Sequence, residues 1–284
     1  MYYSALIGHP VEHSISPVLF AYLAKQTGLE YSHTKIDVVS EKKLSHVLSA
    51  LADLGFCGVN VTLPYKLTMQ KYLYKVSPEA RKIGAVNSVV FKKGRLFGYN
   101  TDAYGALKAI ETQLKKVKAA DRILILGAGG AARAIIYPLY KITKNIVVLN
   151  RDIGEAAELS RDLSGGKIKY EKLSDSNIRQ YLPACNIIIN STPVGMYPAV
   201  GGEIISRTIY QDVPVNGKYF FDAIFNPYHT KFLEYAHRAG AKTCSGTYMM
   251  IYQAQKAFAL WTGRRVPAIN AAAVNNIMRR ALKY

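Results

Sequence analysis

Apolar residues along this chain fall into short strand-sized runs separated by stretches of helical period. Tyr3–Ile7 reads as a strand and Ser16–Gln26 as a helix, with Pro17 in the first turn, where a missing N–H costs nothing. Tyr31–Val38 is the next predicted strand, Glu41–Leu54 an amphipathic helix, and Cys57–Leu63 an alternating strand ended by Pro64. Val86–Phe91 and Arg95–Gly98 form a predicted hairpin around Lys93-Gly94. A helix over Tyr104–Leu114 and a basic connector, Lys115–Lys118, lead to the sharpest unit of the pattern. There the strand run Arg122–Leu126 is followed by a glycine-rich turn, a helix to Lys141 and a strand over Asn145–Leu149. Ile187–Asn190 and Tyr219–Ile224 read as further strands, and Tyr248–Trp261 and Asn270–Lys283 as helices. Such alternation predicts the α/β class, in two α/β domains that meet near Asp102/Ala103.

The 284 residues are enough for about two domains, and with half of them apolar and 20% charged the chain is not disordered by composition. Cys57, Cys185 and Cys244 lie far apart and make neither a disulfide framework nor a CxxC pair, which favours a reducing, cytoplasmic setting. The first residues lack the basic and long apolar regions of a secretory signal. No apolar run approaches the ~20 residues of a membrane span, so no membrane partner is expected. Charge is the anomaly: 37 Lys+Arg stand against 19 Asp+Glu, a net +18. The cations come as scattered pairs such as Lys42-Lys43, Lys92-Lys93 and Arg264-Arg265, with no long block or RNA-binding aromatic motif. A generic solvated basic surface fits this best, ahead of a role toward small anionic ligands or a nucleic-acid partner. His9-Pro-Val-Glu12-His13 has the HxxEH spacing of some zinc enzymes, but that motif needs a helix. Pro10 and the run Ser14–Pro17 describe a loop, so no metal is expected. His33, His46, His229 and His237 lack ligand spacing and are expected at the surface.

Gly127-Ala128-Gly129-Gly130-Ala131 follows a strand and opens a helix, the context that a dinucleotide fingerprint requires. The glycines let backbone approach a pyrophosphate, and the helix start offers unpaired N–H groups. This βαβ unit makes the second domain Rossmann-type. At the tip of its second strand the usual ribose-binding acid is replaced by Asn150, and Arg151 can pair a 2′-phosphate. NADP is therefore favoured, and Asp152, which can repel that phosphate or accept from a plain ribose, keeps NAD possible.

In the first half, polar residues sit where strands end: Ser14, Ser16, Asn60, Thr62, Lys66, Asn87 and Asn100-Thr101-Asp102. Hydroxyls, amides, an amine and a carboxylate together suit a small polyhydroxylated ligand. The runs Gly8-His-Pro-Val-Glu-His-Ser-Ile-Ser-Pro17, Asn60-Val-Thr-Leu-Pro-Tyr-Lys66, Gly84-Ala-Val-Asn87, Gly98-Tyr-Asn-Thr-Asp102, Gly127-Ala-Gly-Gly130, Asn190-Ser-Thr-Pro-Val-Gly-Met196, Asn226-Pro227 and Gln253 resemble the shikimate dehydrogenase family, in its order and across nearly the whole chain.

The resemblance implies an NADP-dependent oxidoreductase that interconverts 3-dehydroshikimate and shikimate in aromatic amino-acid biosynthesis. It implies a substrate-binding and catalytic domain of a parallel sheet over residues 1–102 plus 246–284, and a Rossmann-type dinucleotide-binding domain over 103–245. Lys66 and Asp102 would be the catalytic pair, and Ser14, Ser16, Asn60, Thr62, Asn87, Phe225 and Gln253 substrate contacts. Gly127–Ala131 with Asn150, Arg151 and Asp152 would hold the cofactor, with Ala223 and Gly246 near the nicotinamide. The assembly would be a monomer or homodimer. Asp152, Phe225, Tyr248, Ser88 and Ala103 depart from the family's usual Thr, Tyr, Gly, Thr and Gly. Phe225 and Tyr248 leave room for a quinate or aminoshikimate-type relative, whereas Ser14-Ile-Ser16 keeps both hydroxyls associated with shikimate. A non-catalytic nucleic-acid-binding or regulatory protein on the same scaffold is the alternative of another class, and it would have no need of the Lys66–Asp102 pair.

Overall fold

A computed structural model describes residues 1–281 of the chain. In chain order its strands are β1 (Tyr2–Gly8), β2 (Tyr31–Asp37), β3 (Gly58–Val61), β4 (Lys75–Val76), β5 (Ser88–Lys92), β6 (Arg95–Tyr99), β7 (Ile123–Leu126), β8 (Ile146–Asn150), β9 (Lys169–Lys172), β10 (Ile187–Asn190), β11 (Tyr219–Asp222) and β12 (Lys242–Cys244). The helices are α1 (Ser16–Thr27), α2 (Leu44–Asp53), α3 (Pro78–Ile83), α4 (Asp102–Gln113), α5 (Gly130–Ile142), α6 (Ile153–Ser164), α7 (Asp175–Tyr181), α8 (Arg207–Asp212), α9 (Lys231–Arg238), α10 (Gly246–Thr262) and α11 (Ala271–Ala281). The expected helix Asn270–Lys283 is α11, and its last positions lie outside the described residues. Two compact units divide the chain: Met1–Tyr104 with the part from Ile251 onward, and Gly105–Met250. The chain crosses between them once inside α4 and once inside α10.

The first unit is built on a six-stranded sheet in the order β2-β1-β3-β5-β6-β4. Its β2-β1-β3 portion is parallel, as expected, but β5 and β6 form an antiparallel hairpin that also runs antiparallel to β3. The sheet is therefore mixed rather than parallel, because the tight turn at Lys93-Gly94 can only reverse the chain, whereas a parallel neighbour needs a crossover. One face packs on α2 through Ile7, Val59, Val61, Leu44, Leu48 and Met69. Burying each such side chain contributes about 1.5–3 kcal/mol. In a second, aromatic cluster Phe20 of α1 stacks on Trp261 of α10 at 5.1 Å and on His33 of β2 at 4.2 Å. His33 is thus 9% exposed and not a surface histidine, because the alternation of β2 turns it toward α1.

Local boundaries shift in ways that proline and capping explain. The expected strand Cys57–Leu63 contracts to β3, and the expected helix Glu41–Leu54 starts as a 3-10 turn, Glu41–Lys43, before α2. Lys66 lies in the turns after Pro64 and ahead of a 3-10 turn at Thr68–Tyr72, not at a helix start. The segment His9–His13 is a loop between β1 and α1, and His9 pairs with Asp37 at 3.0 Å.

The second unit holds a six-stranded sheet in the order β12-β11-β10-β7-β8-β9, parallel throughout. Counted from β7, that order is 3-2-1-4-5-6, the doubly wound arrangement whose order reverses between β7 and β10. Crevices for ligands lie outside the carboxyl ends of the strands at such a switch point.

Candidate functional site

In the first unit, strand register brings four chain segments to one sheet edge. Parallel pairing sets Ile7 beside Val61, and antiparallel pairing sets Asn60 beside Ser88 and Ser88 beside Tyr99. The ends of β1, β3 and β6 and the start of β5 therefore share an edge. Asn60 donates its amide to the Asn87 carbonyl at 3.1 Å. The Asn87 side-chain oxygen accepts from the Thr101 N–H at 2.7 Å, and its amide donates to the Thr101 hydroxyl at 3.0 Å and toward Gln253 Oε1 at 3.5 Å. Thr101 also donates to Gln253 Oε1 at 3.1 Å. Thr62, half-buried just past β3, donates its N–H to the Ile7 carbonyl.

Lys66 Nζ lies 2.7 Å from Asp102 Oδ2, and the two side chains are 30% and 13% exposed. The Lys66 carbonyl accepts from the Val86 N–H at 2.8 Å, which ties the lysine's turn to the segment that leads through Asn87 into β5. Asp102 opens α4, where the helix N-terminus favours a carboxylate. Asn100 accepts from the Ala103 N–H at 3.1 Å and so caps that helix. Ser14 and Ser16 meet at the start of α1, hydroxyl to hydroxyl at 3.2 Å. The structure thus joins Asn60, Asn87 and Gln253, pairs Lys66 with Asp102, and pairs Ser14 with Ser16. Thr101, part of the polar Asn100-Thr101-Asp102 run but with no role of its own in the sequence, is the hub of the amide network.

In the second unit, Gly127 follows β7 with φ +106°, and a Cβ there would run into the Ser191 hydroxyl and Thr192. Only glycine fits this turn, whose N–H donates to the Leu149 carbonyl of β8 at 2.8 Å. Gly129 caps α5 with its backbone alone, and the space where Cβ atoms of Gly129 and Gly130 would sit is open. Ala128 is buried and Ala131 half-buried beside them. That leaves a bare helix N-terminus at the switch point, a fit for a pyrophosphate. At the end of β8, Asn150 donates to the Asp152 carbonyl at 2.9 Å and to Glu155 at 3.0 Å. Asp152 Oδ1 accepts from the Gly154 N–H at 2.7 Å and the Glu155 N–H at 3.2 Å, so this carboxylate caps α6. Arg151 between them is exposed. The anion that most threatened a phosphate beside Arg151 is engaged by its own helix.

The loops after β10 and β11 are held by a network that sequence reading left without a role. Asn190 and Asp222 are register partners at the strand ends. Asp222, fully buried, accepts from Thr230 at 2.6 Å, the Ile224 N–H at 3.0 Å and Asn190 at 3.1 Å. Burial pushes its carboxyl up to about 7, against the opposing pull of those three donors. Asn190 also accepts from the Thr192 N–H at 3.0 Å, so one network shapes both loops. Ala223 donates its N–H to the Asn190 carbonyl at 2.8 Å, and Gly246 donates to the Ile224 carbonyl at 3.0 Å. Any side chain at Gly246 would collide with the Ala223 carbonyl. Phe225 is half-buried and brings no hydroxyl. The readable signal was a polar residue closing each of two apolar strand runs.

Three family models match this chain. One described as the shikimate dehydrogenase substrate binding domain covers residues 6–89, and one described as shikimate / quinate 5-dehydrogenase covers 109–222. The third, the shikimate 5′-dehydrogenase C-terminal domain, covers 246–269. The shikimate dehydrogenase (NADP+) of Methanocaldococcus jannaschii is 40% identical over 262 residues, 91% of this chain and 90% of that one. The chain belongs to the shikimate dehydrogenase family. A crystal structure of the Thermus thermophilus shikimate 5-dehydrogenase with NADP(H) and shikimate is 32% identical, with TM-score 0.86 over 99% of this chain and 100% of that one. The quinate dehydrogenase of Corynebacterium glutamicum in complex with NAD is 28% identical, with TM-score 0.84 over 98% of this chain and 99% of that one. The family and the α/β architecture agree with the resemblance carried by the motifs.

Proposed function

We propose that this family member is an NADP-dependent shikimate dehydrogenase, reducing 3-dehydroshikimate reversibly to shikimate for aromatic amino-acid biosynthesis. The observation that carries the reading is the 2.7 Å Lys66–Asp102 pair beside the Asn60–Asn87–Thr101–Gln253 network. Reduction of a ketone builds negative charge on its oxygen. The Lys66 ammonium stabilises that charge and delivers the proton, and Asp102 holds the ammonium in place. In the oxidative direction Lys66 takes the proton back from the substrate hydroxyl. Ser14, Ser16, Asn60, Thr62, Asn87 and Gln253 bind the substrate's polar groups, and Phe225 supplies an apolar contact where the family usually has a tyrosine hydroxyl.

NADPH, when bound, supplies the hydride. The α5 N-terminus with Gly127–Ala131 holds its pyrophosphate, and Arg151 pairs the 2′-phosphate. Asn150 and Asp152 shape that loop, and Ala223 and Gly246 line the nicotinamide end. Residues 1–102 with 246–284 act as the substrate-binding domain and 103–245 as the dinucleotide-binding domain. The two contact-defined units divide two residues later in α4 and five later in α10, at Tyr104 and Met250. We infer a monomer or homodimer acting on small anions in the cytoplasm, without a nucleic-acid or membrane partner. Three unpaired cysteines support the reducing compartment, and no helix among the described residues is long and apolar enough to cross a membrane.

Phe225 and the bulk of Tyr248 favour testing quinate as the second substrate. Steady-state assays of shikimate and quinate, each with NADP+ and NAD+, decide between them. The highest kcat/KM is expected for shikimate with NADP+. A higher value for quinate overturns the substrate assignment, and parity of NAD+ with NADP+ overturns the role given to Arg151.

A further inference from the structure

Three polar groups that the reaction does not use, Tyr31, Ser4 and His33, gather beneath Ser16 in the first turn of α1. The Tyr31 hydroxyl lies 2.5 Å from Ser4 Oγ, Ser4 Oγ 2.6 Å from His33 Nδ1, and His33 Nε2 3.2 Å from Ser16 Oγ. Ser4, Ser16 and His33 are 1%, 5% and 9% exposed. The imidazole stacks on Phe20 at 4.2 Å and has Trp261 as a second, near-parallel neighbour at 6.1 Å, so its ring plane is set by packing.

Proton accounting gives this chain one direction. Among the described residues the Tyr31 hydroxyl has Ser4 as its only hydrogen-bond partner. Tyr31 is half-buried, and the loss of water around its hydroxyl holds the phenol well above the usual tyrosine range, so a proton there without an acceptor is expensive, whereas an unused phenol lone pair is not. Tyr31 therefore donates to Ser4, Ser4 donates to His33 Nδ1, and the imidazole carries its proton on Nε2, aimed at Ser16. Ser14 donates its hydroxyl to Ser16 as well, at 3.2 Å. Both lone pairs of Ser16 are then filled and its own proton is directed outward. Burial lowers His33 to about 3, so the ring stays neutral with a single N–H and the direction does not scramble near neutral pH.

We propose that Tyr31, Ser4 and His33 form a proton-ordered relay that makes Ser16 an obligate hydrogen-bond donor to the carboxylate of the substrate, with His33 as the positioning residue. The proposal rests on the reading of Ser16 as a substrate contact. The carboxylate is the group of shikimate that only accepts, so a hydroxyl locked as donor always matches it, and the charge-assisted bond it forms there is stronger than one to a ring hydroxyl.

The test is steady-state kinetics on the full-length protein with shikimate and NADP+. His33→Phe keeps the aromatic stack and deletes the relay, and is expected to raise the shikimate KM about 10-fold, the loss of one charge-assisted hydrogen bond. Its kcat and its KM for NADP+ should stay within about twofold. Tyr31→Phe removes only the head of the relay and should raise the shikimate KM about threefold, and it serves as the deciding variant if His33→Phe does not fold. In a Ser16→Ala background, His33→Phe should add less than about twofold. Unchanged KM in both relay variants, or a full His33→Phe effect in the Ser16→Ala background, overturns the relay. If Ser16→Ala itself leaves the shikimate KM unchanged, the substrate role of Ser16 fails first and this proposal with it. Silent relay variants beside a damaging Ser16→Ala refute the relay alone.

Discussion

At the residue scale, Lys66 has the most at stake. A positioned acid contributes roughly 10²–10⁴ in rate, so Lys66→Ala is expected to lower kcat by at least about 10² with little change in shikimate KM. Near-wild-type turnover would remove Lys66 from proton transfer. His33 yields a different expectation, in stability. Its folded-state value of about 3 lies below the ordinary histidine value of 6.5, so between those limits the unfolded chain binds a proton that the native ring refuses. Stability from this group is complete above pH 6.5 and is lost as pH falls toward 3. From pH 7 to pH 5 that linkage costs about 2 kcal/mol. Urea unfolding at the two pH values should show His33→Phe losing about that much less than the wild type, and equal losses would mean the imidazole titrates normally in the fold.

Elements, rather than single residues, make the anion-binding features. The start of α5 is bare because Gly127 takes a backbone conformation that L side chains avoid and Gly129 caps without a side chain. The start of α6 is capped by Asp152, which leaves Arg151 as the exposed cation at the tip of β8. A charge-assisted contact to phosphate is worth about 1.5–3 kcal/mol, or roughly 10–100-fold. Arg151→Ala is therefore expected to raise the KM for NADP+ at least about 10-fold while leaving that for NAD+ nearly unchanged. A parallel rise in both would place Arg151 elsewhere in the binding loop. The βαβ pattern made the start of α5 legible, since it follows an apolar strand. Neither α6 nor the commitment of Asp152 to it was legible, because capping depends on the approach of the Gly154 and Glu155 N–H groups.

At the scale of the whole molecule, the net charge of +18 meets two anionic ligands in the proposed reaction. Cations distributed over the surface raise the encounter rate of anions, and salt screens that field over a Debye length of about 10 Å at 0.1 M. The expected signature is a kcat/KM for shikimate that falls as ionic strength rises from about 0.01 to 0.3 M, with kcat unchanged. A flat kcat/KM would leave the charge without a part in ligand capture.

The sequence by itself determined the central strands of the second unit, β7, β8, β10 and β11, because buried parallel strands read as unbroken apolar runs and a glycine turn before a helix has few other uses, whereas the polar edge strands β9 and β12 gave no such signal. It also determined most of the candidate site, since Asn87 and Asp102 lie at ends of strands or helices that periodicity locates and Lys66 follows the proline that closes a strand run. Tertiary structure decided the rest. The hairpin is expected from the sequence, but its antiparallel pairing with β3 made the first sheet mixed and carried Asn87 and Thr101 to the edge that holds Asn60. His33 looked like a surface residue, since alternation along β2 specifies two faces but not which one α1 covers. Asp222 and Thr230, eight positions apart in sequence, became partners only when α9 returned to the end of β11. Periodicity is a local property of the chain, whereas burial and hydrogen-bond direction belong to the neighbours that folding supplies.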